Sequence, residues 1–154
     1  IRSRRRAYRT RLNSGVRRHE TPAVAIPTMS KTAAQLFILA SAGVGVFQVA
    51  LALGAPWGEF TLGGRWKGKL PPRARIIPVL SVLILTFFCA VVLARAGFEL
   101  PLLQQYSHFL AWVVVGYCVI GTVANAATPS KRERNLWLPV VLLMLASSLA
   151  VATS

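Results

Sequence analysis

Four long apolar stretches dominate the pattern of hydrophobic and polar positions along the chain. They lie at residues 32–54, 76–96, 107–127 and 136–153. Apolar residues continue around each stretch without the alternation of a β-strand, which indicates helices and argues against a membrane barrel. About 20 mostly apolar residues let one helix cross the hydrocarbon, where every backbone polar group must be bonded within the segment. The pattern predicts one all-α domain, an integral membrane bundle of four transmembrane helices.

Composition agrees with this fold class. The chain has 154 residues, of which 55% are hydrophobic and 14% are charged, against roughly 25% charged residues in soluble domains. Cys89 and Cys118 fall inside predicted spans without a Cys-x-x-Cys motif or a nearby histidine, so we interpret them as reduced, buried residues. We predict no metal site and no cofactor.

The segment between the first two spans reads APWGEFTLGGRWKGKLPP, residues 55–72. Gly63 and Gly64 stand between short β-prone runs, and glycine readily supplies the positive φ that a tight hairpin turn requires. Trp57 and Trp66 suit the membrane interface, where an indole ring is buried and its N–H stays wet. We therefore expect a short β-hairpin that covers one end of the bundle.

The N-terminal segment concentrates positive charge. Eight of the eighteen Lys and Arg residues of the chain precede residue 19. Residues 1–28 form a basic, disordered extension in this interpretation, and they lie upstream of the native start if translation begins at Met29. If the segment is native, its composition favours organellar targeting or binding to anionic lipid. A basic arm without interleaved aromatic residues gives little support to nucleic-acid binding.

Loop charges indicate an orientation. Lys and Arg are enriched in cytoplasmic loops of membrane proteins. Two loops on the same side of the predicted bundle, 55–75 and 128–135, hold eight cations, whereas a chain counted from Met29 has only Lys31 and Arg95 on the other side. Counted from Met29, the chain is expected to have these loops in the cytoplasm and both termini outside, whereas a native N-terminal segment makes the counts nearly equal and leaves the orientation open. Five cations of the first loop could bind anionic lipid: Arg65, Lys67, Lys69, Arg73 and Arg75.

Polar residues gather at the bundle end that carries loop 55–72. Tyr117, Gly121 and Asn125 recur every four residues and so share one helix face. The candidate acid or base groups are Glu59 and Glu133, and the candidate ligand-binding residues are Gln48, Trp57, Tyr117, Asn125 and Arg134. Several of these residues have a structural alternative. Gln48 and Asn125 suit interhelical hydrogen bonds, and Ser130 with Glu133 forms a capping-box pattern that starts the last helix near Lys131.

Two functions of different classes follow. The sequence contains no phosphate-binding glycine loop, no nucleophile elbow and no aspartate. The first hypothesis is therefore a non-enzymatic accessory or scaffold protein that packs with lipid, with a second copy or with a larger partner. A small-residue patch in the first span, Ala40–Gly43 with Gly45, supports such contacts. The alternative is a membrane-embedded enzyme or carrier for a small amphipathic molecule, with its site under loop 55–72.

A set of spaced motifs gives the chain a resemblance. The motifs are Leu-Gly-Ala-Pro-Trp-Gly at 53–58, Gly63-Gly64 with Gly68 and Leu70-Pro71, Ala-Arg-Ala-Gly at 94–97, Gly121-Thr122 with Asn125, and Pro129-Ser130 with Glu133-Arg134, Trp137 and Pro139. In these motifs the chain resembles a group of small, uncharacterised four-helix bacterial integral membrane proteins. The resemblance covers roughly residues 35–153. It implies a four-span fold in a bacterial plasma membrane, and it transfers no activity to this chain.

Overall fold

The fold is a bundle of four long helices. The computed structural model describes residues 26–154, and that part of the chain contains helices and no β-strand. The long helices are α1 (Ile26–Leu53), α2 (Ile76–Arg95), α3 (Ser107–Ala127) and α4 (Lys131–Ala152). A single helical turn, Pro101–Gln104, precedes α3. Each of the four segments is long and apolar enough to cross a membrane. This confirms the predicted all-α arrangement of four long apolar helices and suggests a membrane location.

The helices follow one another around the bundle in chain order. Helix α1 packs against α2 and α4, and α3 packs extensively against α4 and less extensively against α2. The core contains Phe37, Phe88, Val91 and Val151 from three helices. Many large apolar side chains point outward instead, as expected for helices that face lipid. We call the end that carries the α1–α2 and α3–α4 connections the loop end.

Helix α4 begins where the capping motif predicts. Ser130 is the N-cap residue, and its Oγ accepts a hydrogen bond of 3.2 Å from the backbone N–H of Glu133. This hydrogen bond satisfies one of the free N–H groups of the first turn. The helix therefore starts at Lys131 and gains more than one turn over the apolar stretch itself. The reciprocal half of the capping box is absent, because the Glu133 side chain bonds elsewhere.

The predicted β-hairpin is wrong. Residues 55–75 form three short 3₁₀ segments, Gly58–Phe60, Leu62–Gly64 and Pro72–Arg75, and contain no strand. Gly63 and Gly64 do turn the chain with positive φ values of +74° and +69°. A hairpin would require a ladder of hydrogen bonds between the two sides of the turn, but within the described residues a single backbone bond crosses it, from the Gly58 N–H to the Gly68 carbonyl. Several other groups of this loop bond to α4 and its N-cap instead. Long-range contacts thus override the local strand signal.

The remaining structural predictions have different outcomes. Cys118 is buried in the core, Cys89 is half-buried, and both are free thiols. The interpretations of the basic N-terminal segment concern residues that lie almost entirely outside the described range, which begins at Ile26. Helix α1 begins at Ile26, six residues before the predicted span.

Candidate functional site: a cavity at the loop end

A cavity of about 510 Å³ lies between the four helices at the loop end. Its volume falls within the range of about 300–1,000 Å³ that is usual for small-molecule sites. Thr61, Leu62 and Gly63 of the 55–75 loop line it from the loop end, together with the α3–α4 connection at Thr128 and Pro129. The loop therefore forms a roof over the cavity.

The cavity is polar near the roof and apolar deeper in the bundle. Helix α4 shows the gradient, because Glu133, Trp137, Val141 and Met144 lie on one helix face and all contribute to the lining. The distance along α4 from Glu133 to Met144 is about 16 Å at 1.5 Å per residue. Opposite them, Gln48 of α1 lies one turn nearer the loop end than Val44. The cavity as a whole is amphipathic.

Glu133 connects the loop that forms the roof of the cavity to α4 through hydrogen bonds. Its Oε2 atom accepts a hydrogen bond of 2.8 Å from the backbone N–H of Gly63 and one of 3.0 Å from Oγ1 of Thr128. Its Oε1 atom accepts no hydrogen bond from any residue in the described part of the chain. Glu133 is half-buried and lines the cavity. One carboxylate oxygen thus holds the loop, while the other remains available to a ligand.

Two amides add free polar groups to the same end. Nδ2 of Asn125 donates to the backbone carbonyl of Gly121 at 2.8 Å, one turn earlier in α3. A carbonyl can only accept, so the amide orientation is fixed and Oδ1 of Asn125 is left as a free acceptor. Gln48 is half-buried, and its side chain has no hydrogen-bond partner within residues 26–154. The interhelical hydrogen bond expected for Asn125 is therefore not formed, because the hydrogen bond of its side chain stays within α3.

Tyr117 lies deeper, on the side of the cavity formed by α3. Its ring packs edge to face against Phe88, with centroids 4.9 Å apart. It lines the cavity although 40% of its surface is exposed. The cavity is therefore open at this wall.

Trp137 was not among the predicted site residues. Its Nε1–H donates to the backbone carbonyl of Phe60 at 2.8 Å, and its ring packs edge to face on Phe47 at 4.6 Å. It thus both lines the cavity and supports the roof. The signal in the sequence is its position four residues after Glu133, which places both side chains on one face of α4.

Three predicted site residues lie outside the cavity lining. Glu59 pairs with Arg132 at 2.6 Å, on the outer surface of the loop. Trp57 stacks on Phe47, with ring centroids 5.9 Å apart. Arg134 is half-buried on α4 but does not contribute to the lining.

The basic residues of the loop also lie away from the cavity. Four of them are exposed: Arg65, Lys67, Lys69 and Arg73. Arg75 instead packs beside Gly54 and donates from Nε to the backbone carbonyl of Leu70 at 3.1 Å. Within residues 26–154, no three His, Cys, Asp or Glu side chains cluster in a way that could hold a metal ion.

The fold and the cavity define a class: a small bundle of four helices able to span a membrane, with an amphipathic cavity at one end. Comparison with family models, curated proteins and solved structures finds no match to this chain. The resemblance to small four-helix bacterial membrane proteins therefore stays a prediction that rests on the sequence motifs.

Proposed function

We propose that this chain is a multi-pass integral membrane protein that binds a small amphipathic molecule in the cavity at the loop end. The observation that carries the proposal is the polarity gradient of the cavity, from Glu133 and Asn125 near the roof to Val141 and Met144 below. A molecule with a polar head and an apolar tail matches such a site. Because of this polarity gradient, we favour the carrier alternative over the scaffold hypothesis, which the sequence alone favoured.

Binding or transfer suits the site better than acid–base catalysis. Among the described residues, Glu133 is the only carboxylate in the lining, and one of its oxygens already accepts hydrogen bonds from Gly63 and Thr128. The second candidate acid, Glu59, is engaged with Arg132 outside the cavity. A general acid or base must reach the proton that it transfers, and Glu59 does not line the space where a substrate would lie.

Filling the cavity is the direct test of this function. A Cβ atom at Gly121 meets no other atom within 4 Å, and Gly121 lines the cavity. We expect Gly121→Leu to lower the binding of photoreactive alkyl probes at least about tenfold, since a large side chain would occupy the ligand volume. Binding is measured as probe attached to cavity-lining peptides of the purified protein in nanodiscs.

The matched control for this test is Gly116→Leu. Gly116 also lies in α3 with no other atom within 4 Å of its Cβ position, but it is exposed and lies outside the lining. The Gly116→Leu substitution makes the same chemical change without filling the cavity, so probe attachment should equal that of the wild type. Equal attachment in the wild type and the correctly folded Gly121→Leu protein would reject the proposed binding site.

A specific observation also supports the scaffold hypothesis as a second candidate. In the small-residue patch of α1, Ser41 is buried in the bundle, whereas Gly43 is exposed. Cβ positions at both Gly43 and Gly45 meet no atom within 4 Å. This part of α1 therefore has room for another helix to approach closely. A monomeric protein without crosslinked partners in membranes would exclude this candidate.

The orientation proposed from loop charge places the loop end in the cytoplasm and the termini outside a bacterial plasma membrane. We expect a cysteine at Lys67 to resist an impermeant thiol reagent in intact spheroplasts and to react after permeabilisation. Lys67 is exposed, so its own accessibility does not limit the reaction. Gln105→Cys, an exposed position at the opposite end, should react without permeabilisation. The reverse labelling pattern would show that the opposite orientation is correct.

In this orientation the exposed loop cations would face the negatively charged cytoplasmic leaflet. Each basic residue near such a surface contributes on the order of 1 kcal/mol of attraction. Arg65, Lys67, Lys69 and Arg73 are exposed and can act in this way, whereas Arg75 is engaged with the loop backbone. Anionic lipid is therefore the proposed partner of the outer loop surface.

A further inference from the structure

The wall of the cavity between α2 and α3 is open. Ile77 of α2 is 43% exposed and Tyr117 of α3 is 40% exposed, although both line the cavity. On the opposite side, Met144 of α4 is only 4% exposed. Helices α2 and α3 also pack less extensively on each other than other neighbouring pairs do. If the bundle spans a bilayer, this opening faces the lipid, so a ligand would reach the cavity sideways from the membrane.

The charge of the cavity lining indicates which kind of polar head an amphipathic ligand would carry. Glu133 is the only residue of the lining with a formal charge, and its Oε1 atom lacks a partner within the described residues. Oδ1 of Asn125 is a second free acceptor at the same end. The cations of this end lie outside the lining. An anionic head would meet a carboxylate without a compensating cation, whereas a cationic donor would form a charge-assisted hydrogen bond.

We infer that the cavity binds an amphiphile with a cationic, hydrogen-bond-donating head, of the alkylammonium class. The inference rests on the proposed binding function and adds the ligand class and its route. The head lies near Oε1 of Glu133 and Oδ1 of Asn125. The tail extends toward Leu85 and Met144 and enters between α2 and α3. Tyr117 lies along this route, at the exposed wall.

Three photoreactive probes test the inference. They share one diazirine-bearing alkyl chain and end in a primary ammonium, a carboxylate or a hydroxyl group. The full chain is placed in nanodiscs of zwitterionic lipid, irradiated with each probe, and analysed by peptide mass spectrometry. We expect the ammonium probe to label the lining of α2 and α3 about tenfold more than the carboxylate probe, as one charge-assisted hydrogen bond allows.

Two variants assign the preference to Glu133. Glu133→Gln keeps an acceptor for Gly63 but removes the charge, so ammonium labelling should fall about tenfold relative to hydroxyl labelling. Glu59→Gln is the matched control, because it removes a carboxylate of the same bundle end that lies outside the lining. It should leave the labelling by all three probes unchanged. Glu133→Gln labelling equal to the wild type would overturn the headgroup assignment.

A third variant keeps the test valid if Glu133→Gln fails to fold. Ala124 lines the cavity and is exposed, so Ala124→Lys adds a cation without touching Glu133. It should reduce ammonium labelling and increase carboxylate labelling, and an unchanged preference would overturn the inference. Wild-type labelling that is equal for ammonium and carboxylate, or stronger for hydroxyl, would also overturn it and leave the binding function standing. Absence of cavity labelling with every probe would reject both the inference and the binding function.

Discussion

Gly58→Ala is expected to disrupt the loop that roofs the cavity. A Cβ atom at this position would lie 2.7 Å from the backbone carbonyl oxygens of both Gly68 and Trp66. These atoms cannot rotate away as a flexible side chain can. The Gly58 N–H also donates to the Gly68 carbonyl at 2.7 Å, so the same close approach holds the loop together. We expect a loss of about 1–3 kcal/mol in the free energy of unfolding, the usual cost of overpacking.

Two measurements check this result. Trypsin should cleave the Gly58→Ala protein after Lys67 or Lys69 faster than it cleaves the wild type, and the thermal unfolding midpoint in detergent should fall. Gly116→Ala is the control, because its Cβ has open space within a helix and alanine favours helix by about 1 kcal/mol over glycine. That control should be at least as stable as the wild type. A Gly58→Ala loop with wild-type resistance to trypsin would contradict the close packing of Gly58 against the carbonyl oxygens of Gly68 and Trp66.

Glu133→Ala should detach the roof from α4. The change removes the acceptor of the Gly63 N–H and of the Thr128 hydroxyl at once. A partly buried donor left without an acceptor costs roughly 1–3 kcal/mol. We expect a loss of about 2–3 kcal/mol in the free energy of unfolding, because two donors lose their partner. Amide hydrogen exchange at residues 61–64 should accelerate, which reports the detachment directly.

Glu59→Ala is the matched control for this second prediction. It removes a carboxylate from the same bundle end, but its ion pair with Arg132 is largely in solvent, since the Arg132 side chain is 67% exposed. Exposed pairs of this kind contribute about 0.2–1 kcal/mol. A larger loss of stability in Glu59→Ala than in Glu133→Ala would show that the outer ion pair, rather than Glu133, holds the loop.

Much of the fold could be predicted from the sequence because its causes are local. The length of each apolar run sets a helix, and Ser130 three residues before Glu133 marks the start of α4. The loop could not be predicted in the same way. Gly63-Gly64 permits positive φ in a hairpin and in a 3₁₀ turn alike, and the choice depends on Glu133, 70 residues away in the sequence.

The part of the candidate site that lies on helices was also predictable, because helical spacing is a local property of the sequence. Helical spacing and antiparallel order brought Gln48, Tyr117, Asn125 and Glu133 to one bundle end, and all four line the cavity. Glu59 belongs to an irregular loop, where no periodicity indicates which way a side chain points. Its direction follows from Arg132, a contact that the sequence pattern does not encode.

The attachment of the loop to α4 also has a consequence for the order in which the molecule assembles. Gly63, Glu59 and Phe60 all bond to residues 70 to 77 positions later in the chain. During synthesis from the N-terminus, α1 and α2 are complete before Ser130, Glu133 and Trp137 exist. The loop can therefore reach its final conformation only after the last helix has joined the bundle, so closure of the roof is a late step of folding.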